Sequence, residues 1–224
     1  GVGNLFSLES SFAAIGAEAV VTADPAVLKK ADQIILPGVG AFADAAEKLR
    51  ATGLDQVLLE EAARGKKIMG ICLGMQIAVI EYARHVLGIA DANSGEFAPE
   101  GVHKVIDFMP GQSDEIDKGG TLRLGSYPCV IADGTTMARC YGDTMIHERH
   151  RHRYEFNNDY REVLCTAGLT LSGLSPDGRL VETVELTDRP FYVGVQYHPE
   201  FKSRPNRPHP LFKGFIAAAL EGQQ

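Results

Sequence analysis

Lys67-Ile68-Met69-Gly70-Ile71-Cys72-Leu73-Gly74 decides the fold: an apolar strand runs straight into a cysteine with a glycine two positions away on each side. A G-x-C-x-G step between strand and helix reads as a nucleophile elbow, because the sharp turn needs small neighbours and lifts the sulfur off the end of a sheet beside a helix N-terminus. The helix end is expected to lower the thiol pKa and to offer backbone N–H groups to a developing oxyanion. The competing reading of these residues alone is a buried core cysteine between two helix-breaking glycines.

The residues before the elbow alternate helix and strand signals. Leu5, Leu8, Phe12 and Ile15 recur at helical spacing, Gly16 stops that helix, and Ala19-Val20-Val21-Thr22 reads as a short strand. A short helix over Pro25–Lys30 leads to a buried strand, Gln33-Ile34-Ile35-Leu36, closed by Pro37-Gly38-Val39-Gly40. Helices are then expected over Phe42–Arg50 and Leu54–Arg64. This alternation indicates an α/β fold with a parallel sheet covered on both faces, its ligand beyond the carboxyl ends of the strands. Gly38-Val39-Gly40 and Cys72 both fall there. After a helix over Leu73–Val86 the pattern changes to short strands at Val105–Phe108, Thr121–Leu124, Cys129–Ile131, His147–Tyr154, Leu180–Leu186 and Tyr192–Gln196, with a closing helix over Leu211–Leu220. This half looks antiparallel, at least at one edge of the sheet.

The whole chain bounds the function. At 224 residues, 45% hydrophobic and 23% charged, it has the composition of one sizeable domain, and no linker marks a boundary, so residues 1–224 are read as a single domain. No apolar stretch approaches a membrane span and no signal-peptide pattern opens the chain, so no membrane association is expected. A net charge of −7 argues against a general nucleic-acid binder. Cys72, Cys129, Cys140 and Cys165 include no C-x-x-C pair, so no metal site and no disulfide framework is expected, and a reducing cytoplasm fits.

A cysteine nucleophile needs a base within hydrogen-bond reach and a group that orients the base. Phe191–Gln196 is an apolar strand that delivers Tyr197-His198-Pro199-Glu200 at its carboxyl end. Pro199 stops the strand and presents His198, and Glu200 can turn its carboxylate to the far imidazole nitrogen. A lone histidine there would ordinarily be a surface residue. In Arg149-His150-Arg151-His152-Arg153, period-two geometry puts the three arginines on one face and the histidines on the other. An exposed strand, an RNA-binding stripe and a metal site built on His147, His150 and His152 are the readings open to it, and the acidic whole and the crowding arginines speak against the last two.

Gly70-Ile71-Cys72-Leu73-Gly74-Met75-Gln76 together with His198-Pro199-Glu200 resembles the class I glutamine amidotransferase family. The resemblance implies a flavodoxin-like three-layer fold, with a mostly parallel central sheet and an antiparallel edge, and hydrolysis of the side-chain amide of L-glutamine. It implies that Cys72 attacks the amide carbon, that His198 protonates the departing ammonia and that Glu200 holds His198. It places the oxyanion hole at the backbone N–H groups of Leu73 and Val39, and implies no cofactor. From Asp91-Ala92-Asn93-Ser94-Gly95-Glu96-Phe97 onward the chain is similar to the glutaminase domain of CTP synthase. The first seventy residues, in Gly3-Asn4-Leu5 and Leu36-Pro37-Gly38-Val39-Gly40-Ala41-Phe42, resemble the glutaminase subunit of imidazole glycerol phosphate synthase. A natural hybrid, a chimera and a divergent lineage are all compatible with a crossover near the elbow.

The CTP synthase resemblance implies that Glu96 and Arg153 hold the amino-acid end of glutamine, with Gln76, Gly38 and Tyr154 lining its pocket, and that ammonia passes to a synthase domain or subunit. The glycine-rich lid of that family is replaced by Ala41-Phe42-Ala43-Asp44-Ala45-Ala46, which argues against activation by GTP even with Arg123 present. Both families begin with an apolar strand that would precede Gly1, so the first strand of the sheet is expected to be missing. A histidine-pathway glutaminase, another cysteine hydrolase such as a γ-glutamyl peptidase, and an inactive or engineered scaffold are the alternatives. Glu96 and Arg153 speak against the peptidase by specifying a free amino-acid end.

Overall fold

The computed structural model describes residues 5–38, 49, 51–108 and 122–221. Its helices are α1 (Leu5–Ala13), α2 (Pro25–Lys30), α3 (Leu54–Ala63), α4 (Leu73–His85), α5 (Thr136–Tyr141), α6 (Arg161–Thr166) and α7 (Pro210–Glu221). Its strands are β1 (Gln33–Leu36), β2 (Lys67–Ile71), β3 (Asn93–Ser94), β4 (Lys104–Phe108), β5 (Arg123–Ile131), β6 (Met145–His152), β7 (Tyr154–Phe156), β8 (Thr170–Leu174), β9 (Val181–Glu185) and β10 (Tyr192–Val195).

Seven strands form one mixed sheet in the order β1-β2-β10-β9-β8-β5-β6, and β3-β4-β7 form a small second sheet. β1, β2 and β10 run parallel, and the other four strands of the large sheet join antiparallel to their neighbours. The α/β class follows from the sequence alternation; the antiparallel part is four strands wide. β5 carries Pro128 without losing a ladder bond, because β8 pairs only with Val130 and Ile131 and leaves that side of Pro128 unpaired.

The strand alternation sends Met69, Ile71, Val193 and Val195 to one face of the sheet, where they pack with Phe12 of α1 and Leu211, Phe212 and Phe215 of α7. The opposite face is closed by α4 and α6, whose Met75, Val79, Ile80 and Leu164 meet Val184 and the small sheet's Val105, Ile106 and Phe156. Three layers result, as the two apolar faces of a central sheet require. Among the described residues no helix is long and apolar enough to cross a membrane.

The strand expected at Ala19–Thr22 does not form: this stretch carries no strand, and Val20 and Val21 are 64% and 57% exposed. Apolar β-branched residues specify a strand only where a partner takes up their backbone groups, and no described strand runs beside them. The helix expected over Phe42–Arg50 lies, apart from Leu49, outside the described residues, as do Val39 and Gly40. The two strands expected at Thr121–Leu124 and Cys129–Ile131 are one continuous β5, and the strand expected over His147–Tyr154 breaks at Arg153 into β6 and β7. β8, α5 and α6, too short and polar for a periodic signal, are additions of the structure.

Candidate active site

Cys72 is the sole described non-glycine residue with positive φ, at φ 51 and ψ −104, and it is the turn between β2 and α4. Such a backbone is strained for an L side chain and persists only where its surroundings hold it. The flanking glycines supply that hold. A Cβ on Gly70 would stand 2.7 Å from the Gly74 carbonyl, and one on Gly74 would stand 2.2 Å from Leu36 O. The elbow is therefore pressed against β1 and against itself, and the G-x-C-x-G spacing is a packing requirement.

The partner side chains arrive on the adjacent strand. β2 and β10 pair parallel with Ile71 opposite Val195, and Cys72 N donates to Val195 O at 2.6 Å. The residues that follow Val195 thus emerge at the carboxyl edge beside the cysteine. His198 is 1% exposed, its N–H donates to Arg149 O at 2.8 Å, and its ring stacks on Phe201 with centroids 4.7 Å apart. Glu200 Oε1 lies 2.8 Å from His198 Nδ1, so Nδ1 carries the proton and Nε2 is left as the basic nitrogen. The second carboxylate oxygen, Oε2, is buried with no hydrogen-bond partner among the described residues, which leaves the imidazole as the group that answers its charge.

The thiol departs from expectation. Cys72 is 7% exposed, and burial pushes its pKa up to about 12. The Leu73 N–H and the Gln196 side chain pull it down, as a helix N-terminus should, while Glu200 and Glu155 push it further up. Desolvation outweighs the helix end, so the ligand-free elbow holds a neutral thiol until a base takes its proton.

The expected substrate residues are brought together in part. Gln76, on the first turns of α4, is buried and donates from Nε2 to Tyr154 O at 3.0 Å and to Gln196 Oε1 at 3.1 Å. Both its N–H donors are taken, which leaves Oε1 as the face it can present to a ligand. The Tyr154 ring stacks on Phe108 with centroids 4.7 Å apart, and its backbone carbonyl accepts from Gln76. Glu96, in the turn after β3, is exposed; partial desolvation raises its carboxyl pKa, and the positive charge of Arg153 acts against that rise. This interaction puts the acid and the base that the sequence paired within electrostatic reach of each other. Gly38 packs against the elbow, and Leu73 opens α4 directly after the cysteine. Val39, the second expected oxyanion donor, lies outside the described residues.

Three features escaped the sequence reading. Gln196, fully buried, has its Nε2 3.7 Å from Cys72 Sγ. Its position two residues before the histidine on an apolar strand was the available signal, since a buried amide must find partners. Phe201, one residue past Glu200, supplies the ring on which the His198 imidazole rests. Arg123, weighed for nucleotide activation, is buried in a bidentate pair with Glu182 at 2.6 and 2.9 Å and stacks on the Tyr127 ring, so its guanidinium faces the interior. The β6 pattern is as read, with Arg149 and Arg151 exposed and His150 and His152 buried, Nδ1 of one 2.8 Å from Nε2 of the other. Among the described residues no group of three His, Cys, Asp or Glu side chains is arranged to hold a metal ion.

Comparison with known proteins gives the family. The model of the family described as glutamine amidotransferase class-I matches residues 5–218. The CTP synthase of Carboxydothermus hydrogenoformans is 53% identical over 196 residues, 87% of this chain and 35% of that protein. The CTP synthase of Moorella thermoacetica is 61% identical over 155 residues, 69% of this chain and 29% of its own length. The chain thus spans about a third of the curated relatives it matches. The structure of the Trypanosoma brucei CTPS glutaminase domain with bound acivicin superposes with a TM-score of 0.76 at 32% identity, covering 97% of this chain and 86% of that one. The structure of PurLQS from Thermotoga maritima, at 18% identity and a TM-score of 0.61 over 100% of this chain and 95% of that one, shares the fold. With a strained cysteine elbow, a His–Glu pair on the neighbouring strand and a family match over nearly its whole length, the chain belongs to the class I glutamine amidotransferase family.

Proposed function

We propose that this chain is a glutaminase domain, hydrolysing the side-chain amide of L-glutamine to glutamate and ammonia and passing the ammonia to a synthase domain or subunit of the CTP synthase type. The observation that carries the reading is the register of β2 and β10, which delivers Cys72 and the His198–Glu200 pair to one edge of the sheet. The likeness to the Trypanosoma brucei glutaminase domain supports the substrate class. CTP synthase relatives favour that pathway, and an alignment to the Herpetosiphon aurantiacus CTP synthase over 92% of the chain reaches into the first seventy residues.

The reaction follows from the groups present. His198 Nε2 takes the thiol proton, and the sulfur electron pair forms a bond to the amide carbon as the carbonyl pair moves onto oxygen. The Leu73 N–H, joined by that of Val39, stabilises this oxyanion. Collapse breaks the carbon–nitrogen bond, and the proton on His198 leaves with ammonia. Glu200 stabilises the imidazolium between the two transfers. Water, deprotonated by the same nitrogen, then cleaves the thioester to glutamate and restores the thiol. Glu96 and Arg153 answer the α-ammonium and α-carboxylate of free glutamine. Free cysteines are in keeping with a reducing cytoplasm.

Glutamate release from glutamine, measured with the chain alone and with a CTP synthase synthetase domain, ATP and UTP, tests the reading. Turnover that disappears in Cys72→Ala is expected. No turnover in either arm refutes it.

A further inference from the structure

The Gln196 carboxamide lies between the nucleophile and Gln76 and takes no part in the chemistry above. Its backbone is pinned to β9, Gln196 N donating to Glu182 O at 2.8 Å, and its side chain is shut off from solvent. The polarity of the carboxamide is set from a distance. Tyr154 O can only accept, so the Gln76 atom 3.0 Å away is Nε2. That nitrogen can only donate, so the Gln196 atom 3.1 Å from it is Oε1. The remaining atom, Nε2, is then the one 3.7 Å from Cys72 Sγ. A backbone carbonyl on β7 thus fixes, through two amides, an N–H donor aimed at the sulfur.

We propose that Gln196 is a catalytic residue, a pre-oriented N–H donor that stabilises the Cys72 sulfur as an anion when His198 removes its proton and again when the thioester sulfur departs. The inference rests on the glutaminase reading for its reaction but not for its geometry. Gln196 exchanges no proton and no electron pair; the proton passes from Sγ to His198 and the pair stays on sulfur until the bond to carbon forms. The need for such a donor is physical. The sulfur is nearly stripped of water, two carboxylates, Glu200 and Glu155, oppose its ionisation, and the Leu73 N–H is the other donor that favours it. A hydrogen bond to an ion in a dry site has roughly twice the strength of a neutral one. When the oxyanion forms, the Leu73 N–H is drawn toward oxygen, which leaves Gln196 with the sulfur.

The test is the pH profile of Cys72 alkylation by iodoacetamide, read at that residue by mass spectrometry, which needs no turnover. Gln196→Glu keeps the oxygen that accepts from Gln76 and replaces the donor with an acceptor. It should move the profile up by about one pH unit or more and slow alkylation near neutral pH about tenfold. Gln196→Met, which deletes the donor together with the oxygen that accepts from Gln76 but adds no acceptor beside the sulfur, should fall between it and the unaltered protein. In glutamine hydrolysis kcat should fall in step while KM changes less than about threefold, because the lost interaction belongs to the transition state. Alkylation profiles that coincide with the unaltered protein in folded variants overturn the proposal. If the unaltered protein shows the donor-dependent profile but hydrolyses no glutamine, the glutaminase reading fails and the donor geometry stands. Should both variants fail to fold, the Gln196 side-chain amide protons of the 15N-labelled unaltered protein decide: they must shift when Cys72 is alkylated, and immobile resonances refute the contact.

Discussion

Gly38 lies so close to the elbow that a Cβ built on it would stand 2.3 Å from the backbone nitrogen of Leu73 and 2.3 Å from the carbonyl of Ile71. Those neighbours are backbone on both sides, so neither can turn away as a side chain would. The loop that follows β1 and the first turn of α4 are therefore held in contact, with nothing but a hydrogen atom between them at the N–H proposed to meet the oxyanion.

Gly38→Ala should reduce glutamine hydrolysis by about 100-fold or more, the effect of displacing one oxyanion donor. The same substitution should lower the unfolding free energy by about 1–3 kcal/mol, the usual cost of overpacking. Initial rates and urea midpoints on the same preparation check both.

Gly74→Ala should destabilise although it places a better helix former in α4. Helix propensity favours alanine by about 1 kcal/mol. A Cβ 2.2 Å from Leu36 O, however, forces β1 and α4 apart, and that outweighs the gain. Gly16→Ala, at φ +75 with open space around it, should cost only about 1 kcal/mol for the left-handed backbone. Chemical denaturation of the two variants side by side should show Gly74 to be the more damaging.

Cys72→Gly should be more stable than Cys72→Ala by about 1 kcal/mol, since both remove the sulfur and only glycine relieves the backbone strain at φ 51. Both should be inactive. Equal thermal midpoints would show the elbow to be unstrained.

Alkaline pH should weaken the fold. Burial holds Cys72 at about 12 and raises Cys129 further, against about 8.5 for an unfolded thiol. Above that value the unfolded chain releases protons that the folded chain keeps, so the unfolded state binds fewer and stability falls as pH rises. Each thiol contributes a slope of about 1.4 kcal/mol per pH unit. Urea midpoints between about pH 8.5 and 10.5 should show the fall, and Cys72→Ala should reduce its slope by one proton's worth.

Arg123→Met should cost about 3–5 kcal/mol, because it leaves the buried Glu182 carboxylate without its bidentate partner. Adding Glu182→Gln should recover part of the loss. A double variant no more stable than Arg123→Met alone would mean that the pair is not coupled.

How far the sequence was legible depends on the range of the interactions that fix each feature. The elbow could be read because its requirement is local: the glycines must stand two residues either side of Cys72 wherever the strand lies. His198-Pro199-Glu200 was equally local, since strand, proline and carboxylate follow one another along the chain. The alternation of Arg149, His150, Arg151 and His152 indicated the correct faces for the same reason. Ala19–Thr22 misled because a strand is a property of a pair of segments, and the thiol pKa misled because desolvation depends on what packs over the sulfur.

By itself, then, the sequence indicated the α/β class, through an alternation of locally specified helices and strands, and the sharp cysteine turn and the histidine–glutamate sequence, each set by residues within a few positions of one another. The tertiary structure decided which strands are neighbours, that Arg123 turns inward to Glu182, and that the polarity of Gln196 beside the sulfur is dictated from Tyr154. Arg123 and Glu182 stand 59 residues apart along the chain, and Cys72 and Gln196 stand 124 apart. Only chain folding can place such groups within hydrogen-bond reach, and no local pattern records the encounter.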